Sequence, residues 1–180
     1  EYIHDLHQVA AESPVADLVD VEFFASQSAA LEIKKLKDTG VSVITSHHDF
    51  SETPQPDVMR MLLERMAGSG SDIVKLAVMP HNAMDVLALL GETAYFHEHY
   101  PHTPLITISM GSLGAIARIA GETFGSCVTF GSVQKMSAPG QIPVEKLQYM
   151  LDALHVEKES RMVIQILLNT DTDNFIMWLS

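Results

Sequence analysis

The sequence predicts an α/β fold: a parallel sheet whose strands are joined by helices. Three observations predict it. Short apolar runs rich in β-branched residues alternate with longer stretches of helical periodicity. The apolar runs carry few polar residues on either alternate face, as strands covered on both sides require. Gly or Pro marks several of the exchanges, as at Gly40 and Pro101. Two architectures satisfy this pattern, an open doubly wound sheet and a (β/α)8 barrel.

Taken in order, residues 2–12 read as a helix. Residues 18–24 are a strand, and 27–39 a helix closed by Gly40. Residues 41–46 are the second strand. Pro54 and Pro56 lead into a helix over 57–67, where Met59, Leu62, Leu63 and Met66 share a face suited to core packing. Residues 73–79 are the third strand and 83–100 a helix stopped by Pro101. Residues 105–110 and 113–124 are the fourth strand and helix. A short fifth strand at 127–130 precedes a loop and a last helix at 144–155. The count is five βα units. A complete barrel takes about 250 residues and eight units, so a barrel reading makes residues 1–155 a partial barrel domain. Residues 156–180 form an atypical C-terminal extension, readable as a hairpin. Because the first residue is Glu1, the start reads as a processed or truncated end.

Composition excludes several function classes. The formal net charge is -12 and no Lys/Arg cluster occurs, which argues against a nucleic-acid partner. An anionic ligand would need a few locally placed cations to bind against that field. No apolar stretch is long enough to span a bilayer, and no signal peptide opens the chain. The one cysteine, Cys127, cannot form an internal disulfide and reads as a buried structural thiol. A cytoplasmic location follows. No strand is followed by G-x-G-x-x-G, and no G-x-x-x-x-G-K-[ST] occurs, so nucleotide-binding versions of the fold lose weight.

Lys75 is the feature that points to chemistry. It is the one charged side chain in Ile73-Val74-Lys75-Leu76-Ala77-Val78-Met79. Period-2 alternation sends Lys75, Ala77 and Met79 to one face, which in a barrel is the lumen. Desolvation disfavours the ammonium form and makes a nucleophilic amine available near neutral pH. A strand-end lysine paired with a carboxylate is the bland alternative.

Ser46-His47-His48-Asp49-Phe50 stands at the C-terminal end of the second strand, where α/β folds place their chemistry. Ser46 and His48 share one face and His47 takes the other. A histidine here is suited to general acid–base work. Asp20 and Glu22 end the first strand on a common face, placed to pair with Lys75 or to orient His48. Arg118, in the helix after the fourth strand, is a candidate fork for a substrate carboxylate. The loop Ser137-Ala138-Pro139-Gly140-Gln141 offers a hydroxyl, an amide and a flexible glycine, a composition suited to closing over a polar ligand. His97 and His99 are two residues apart and do not share a helix face, so no metal site is assigned.

In order along the chain, six segments resemble type I 3-dehydroquinate dehydratase. They are Asp20-Val21-Glu22-Phe23-Phe24, Ser46-His47-His48-Asp49-Phe50 with Thr53-Pro54, Lys75-Leu76-Ala77-Val78-Met79-Pro80, Ile106-Thr107-Ile108-Ser109-Met110, the run from Arg118 to Ser126, and Ser137-Ala138-Pro139-Gly140-Gln141-Ile142. The resemblance implies a TIM-type (β/α)8 barrel, here incomplete, with no counterpart to the family's first three strands. It implies a Schiff-base lyase of the shikimate pathway, the route to chorismate and aromatic amino acids. Lys75 would form an imine with the C3 carbonyl of 3-dehydroquinate. His48 would take the C2 proton and protonate the departing C1 hydroxyl, giving 3-dehydroshikimate. Arg118, Ser137 and Gln141 would bind substrate, with Asp20, Glu22 and Met110 in support. No metal or organic cofactor is implied, and the family suggests a homodimer. Two alternatives stay open. One is another imine-forming barrel, such as a class I aldolase, which the strand-end histidine and the Ser-Ala-Pro-Gly-Gln loop fit less well than they fit the dehydratase. An inactive remnant of the dehydratase predicts no turnover even at high protein concentration.

Overall fold

The computed structural model describes residues 2–13, 16–133, 138–154, 161–163 and 175–179. Ser137 therefore lies outside the described residues. Helix α1 (Tyr2–Ala11) precedes β1 (Leu18–Glu22), which runs into a 3-10 turn at Phe23–Ala25. There follow α2 (Ala29–Asp38), β2 (Ser42–Asp49), α3 (Pro56–Ala67), β3 (Ile73–Val78), α4 (Ala83–His99) and β4 (Leu105–Ser109). Helix α5 (Ala115–Ala120) continues as a 3-10 turn at Gly121–Phe124, and β5 (Val128–Ser132) comes next. Strand β6 (Ile142–Pro143), α6 (Val144–Leu154), β7 (Arg161–Val163) and β8 (Phe175–Leu179) complete the order.

Strands β1 to β4 form one parallel sheet in sequence order. With helices on its outer face, this is an arc of a (β/α) barrel. The register aligns Asp20 with Ile44 and Glu22 with Ser46. It then aligns Ser46 with Lys75 and His48 with Ala77, and Lys75 with Ile106. Registered partners point to the same face, so the strands sort cleanly into two sides. Inward, Ile44, Ile73, Ala77, Ile106, Ile108 and Met110 pack with Val128 and Phe130 of β5. Outward, Val74, Leu76, Val78 and Leu105 pack on Met59, Leu63 and Met66 of α3 and on Leu89 and Phe96 of α4. At the β1 side, Val19, Val21 and Val43 meet Ala29, Ile33 and Leu36 of α2.

The helices start where local chemistry allows. Pro56 opens α3 within its first turn, where a missing N–H costs nothing. Asn82 and Asp85 form a reciprocal capping box at the head of α4. The Asn82 side chain accepts from the backbone N–H groups of Met84 and Asp85, at 2.8 and 3.2 Å.

Several expectations are corrected. Strand β2 runs on to Asp49, so His47 and His48 belong to the strand itself and not to a loop beyond it. Pairing with β3 through Asp49↔Val78 extends it. The helix expected over 113–124 is only six residues of α-helix before it tightens to 3-10. Gly114 and Gly121 at its two ends weaken helical propensity. The fifth strand does not continue the parallel ladder: just before it, Ser126 makes an isolated parallel bridge to Leu105 of β4, and β5 meets β4 through side chains on the inner face. It instead belongs to a second sheet of order β6-β5-β8-β7, in which β8 pairs with it antiparallel from Val128↔Leu179 to Ser132↔Phe175. Strands β7 and β8 are antiparallel to each other.

Candidate active site

Lys75 is the polar intruder on an apolar inner face. Its side chain is 11% exposed, and its Nζ donates to Asp20 Oδ2 at 2.7 Å. The same ammonium stands 5.1 Å from the centre of the Phe130 ring, within reach of a cation–π interaction. An adjacent carboxylate and an aromatic face hold the lysine in place without exposing it. Asp20 reaches Lys75 across the intervening strand β2 because the registers Asp20↔Ile44↔Ile73 put it one pleat below the lysine. Beside the lysine, in register, is Ser46, whose Oγ is buried without a hydrogen-bond partner.

His48 lies on the same inner face, two residues further along β2. Strand rise and spacing set the Cα atoms of His48 and Lys75 roughly 8 Å apart. The Nδ1 of His48 is 2.6 Å from Glu22 Oε2, and the Nδ1 of His47 is 2.9 Å from Glu22 Oε1. The backbone N–H of His48 donates to Oε1 as well, at 3.3 Å. Burial pushes the Glu22 carboxyl up, but the hydrogen bonds and charges of the two histidines outweigh it and hold it down to about 2. Glu22 is thus a carboxylate at neutral pH and can only accept. Both imidazoles must then donate from Nδ1, and in neutral His48 the other nitrogen, Nε2, is left as an acceptor. That is the tautomer a general base needs.

His47 and His48 are expected on opposite faces of the sheet, and the strand places them so. Alternation does turn them apart, and His47 meets the Phe24 ring edge-on at 5.0 Å. Glu22, however, sits at the end of the sheet's outermost strand, where its carboxylate reaches both imidazoles. Phe50, 64% exposed, stacks on His48 with ring centres 5.9 Å apart. An open pocket of about 410 Å³ is lined by Glu22, Phe24, Ala25, His47, His48 and Phe50. Lys75 and Arg118 are not among these lining residues, so the pocket marks the end of the site at the histidines. Phe24, Phe50 and Phe130 escaped the sequence reading of the site. The aromatic residue directly after His-His-Asp was the available signal for Phe50.

Arg118 is buried, 2% exposed, where a surface position on its helix was the alternative. Burial draws its guanidinium down to about 10, so it remains a cation. Its NH1 and NH2 groups donate to the carbonyls of Phe130 and Pro139 at 3.4 and 3.2 Å, and its Nε is buried without a partner. A desolvated fork held by two long bonds to neutral carbonyls is suited to completion by a carboxylate. Gln141 is buried, and its Oε1 accepts from Ala138 N–H at 3.4 Å. Gly140 adopts φ +76°, and a Cβ there would collide with the Gly111 backbone. The Gly111 N–H also donates to Pro139 at 3.0 Å. The 138–141 loop is therefore seated against the end of β4, near Arg118. Met110 is buried at that same end. Burial pushes the Cys127 thiol up to about 11, which disfavours the thiolate. Among the described residues, no group of three His, Cys, Asp or Glu is placed to hold a metal ion. No helix among them is long and apolar enough to cross a membrane.

Comparison with known proteins points to one family. A family model described as type I 3-dehydroquinase matches residues 1–158. The 3-dehydroquinate dehydratase of Syntrophotalea carbinolica is 45% identical over 161 residues, covering 87% of this chain and 62% of the relative. That of Listeria monocytogenes is 44% identical over 156 residues, covering 86% and 62%. Among solved structures, the Geobacillus kaustophilus 3-dehydroquinate dehydratase superposes with TM-score 0.82 at 36% identity, over 87% of this chain and 61% of the other. The Clostridium difficile type I enzyme, solved with covalently modified comenic acid, gives TM-score 0.80 at 39% identity, over 87% and 62%. The chain thus spans about three-fifths of the length of the relatives it matches.

Proposed function

Because the chain belongs to the type I 3-dehydroquinase family, we propose that it contributes the imine-forming half of a dehydratase site that converts 3-dehydroquinate to 3-dehydroshikimate. The observation that carries this is the pair of polar couples on one apolar face: Lys75 on Asp20 at 2.7 Å and His48 on Glu22 at 2.6 Å. Lys75, once it gives up a proton, attacks the C3 carbonyl. Loss of water leaves a protonated imine, which draws electrons from the neighbouring C2–H bond. Nε2 of His48 takes the C2 proton and returns it to the C1 hydroxyl, which departs as water while the C1–C2 double bond forms. Hydrolysis of the imine releases product and restores Lys75. Arg118 receives the substrate carboxylate, and Ser137 and Gln141 cover it from the loop. The lone cysteine supports a cytoplasmic setting, and the family resemblance supports a homodimer.

Borohydride reduction in the presence of 3-dehydroquinate tests the reading. The expected result is a covalent mass increase on this chain, mapped to Lys75 and absent in Lys75→Ala. In His48→Ala, trapping is expected to persist while turnover falls about 10²- to 10⁴-fold. An unchanged mass in the parent chain, or labelling that survives Lys75→Ala, would sink the assignment.

A further inference from the structure

We infer that His47, which faces away from the substrate side of the sheet, is a positioning residue for His48, acting through the carboxylate they share. The inference rests on the dehydratase reading only for its consequence in turnover; its structural content stands on three contacts. Glu22 has two oxygens and three donors. Oε1 takes His47 Nδ1 at 2.9 Å and the His48 backbone N–H at 3.3 Å, and Oε2 takes His48 Nδ1 at 2.6 Å. Glu22 is the last residue of β1, and β1 is the outermost strand of its sheet. A glutamate at the end of a strand has several rotamers, and fixing one costs side-chain entropy. His47 supplies the second anchor. It is itself fixed by the edge-on Phe24 ring at 5.0 Å, and Arg65 lies over the same Phe24 ring at 4.9 Å. With Oε1 occupied, Oε2 is turned to His48, its Nδ1 keeps the proton, and Nε2 stays free to accept one.

The other charged group near His47 is Asp49. Its carboxylate is committed to the Ser51 hydroxyl at 2.6 Å and to the Ser51 and Glu52 backbone N–H groups at 2.8 and 3.0 Å. It is not positioned to replace Glu22. Removing the Nδ1 donor of His47 should therefore release one end of Glu22 and let His48 sample the tautomer protonated at Nε2, in which it cannot act as base.

The test uses the full chain labelled with ¹⁵N, observed by two-bond ¹H–¹⁵N correlation spectra of its histidines. In the parent chain His48 is expected to be the Nδ1–H tautomer. In His47→Phe, which keeps a ring against Phe24 but has no donor, His48 is expected to become a mixture of tautomers. His47→Asn, which restores a donor, is expected to recover the Nδ1–H form at least in part. In turnover, His47→Phe should lower kcat about tenfold with KM changed less than twofold, and borohydride trapping at Lys75 should be unaltered. A His48 tautomer that is the same in His47→Phe as in the parent overturns the inference, as does a loss in His47→Phe that His47→Asn does not relieve. The tautomer is read without substrate, so a chain that neither traps nor turns over 3-dehydroquinate would refute the dehydratase reading and still decide the role of His47.

Discussion

Two carboxylates on one strand do different work because their partners differ. Asp20 faces an ammonium, and Glu22 faces two imidazoles. Each pair satisfies a polar group that the apolar inner face would otherwise leave costly. Glu22 has a consequence that pH can reveal. Its folded-state value, about 2, lies below its ordinary 4.5. A carboxyl depressed by folding contributes stability that is fully present above pH 4.5 and is lost as pH falls toward 2. Acid unfolding of the parent chain and of Glu22→Gln should therefore differ most near pH 6 and converge by about pH 2. Circular dichroism at graded pH would check this, and curves that stay parallel through that window would contradict it. Arg118 shows the same logic in reverse. Its buried fork is under-satisfied, which is a cost to the folded chain and an opening for a carboxylate ligand.

At the level of elements, the site depends on where strands end and on what the following loops can approach. Strand β3 is buried along its whole length, so Lys75 stands among apolar neighbours with the Asp20 carboxylate as its polar partner. The loop at 138–141 lies against Gly111 only because Gly140 has no Cβ and sits in the left-handed region at φ +76°. Gly140→Ala combines a disfavoured backbone conformation with a backbone collision. It should cost about 1–3 kcal/mol, and the loop should move away from β4, raising KM for 3-dehydroquinate. Denaturant titration together with steady-state kinetics would show it. Unchanged stability and unchanged KM would mean that the loop is not seated as described. Periodicity alone made most of these elements legible: α3 shows Met59, Leu63 and Met66 on one buried face, as the spacing predicts. It did not reveal the extension of β2 through His47 and His48, because a polar His-His-Asp run carries no apolar signature and is held in the strand by pairing with β3.

On the scale of the whole molecule, the parallel arc has two ends that are treated differently. At one end β1 is the outermost strand, covered from the helix side by α1 and α2, with His7 Nδ1 2.6 Å from Glu32 Oε1. At the other, β4 is followed by β5 of the second sheet, which is flanked by β6 and β8. Ending the chain after Leu154 removes β7 and β8 and exposes five registered residues of β5. Unpaired edges of that kind promote association. The shortened chain should scatter more light and melt at a lower temperature than the parent; equal scattering and an equal Tm would show that β8 does not protect this edge. The sequence by itself determined the βα alternation, the family resemblance and the face of β3 that carries Lys75, because strand alternation and motif order are local properties of the chain. Only the tertiary structure decided that Asp20 pairs with Lys75 and Glu22 with His48, that His47 shares Glu22 with His48, and that Arg118 is buried. Those are contacts between residues 21 to 55 positions apart, fixed by strand register and by the layer each side chain faces, and no local pattern encodes either.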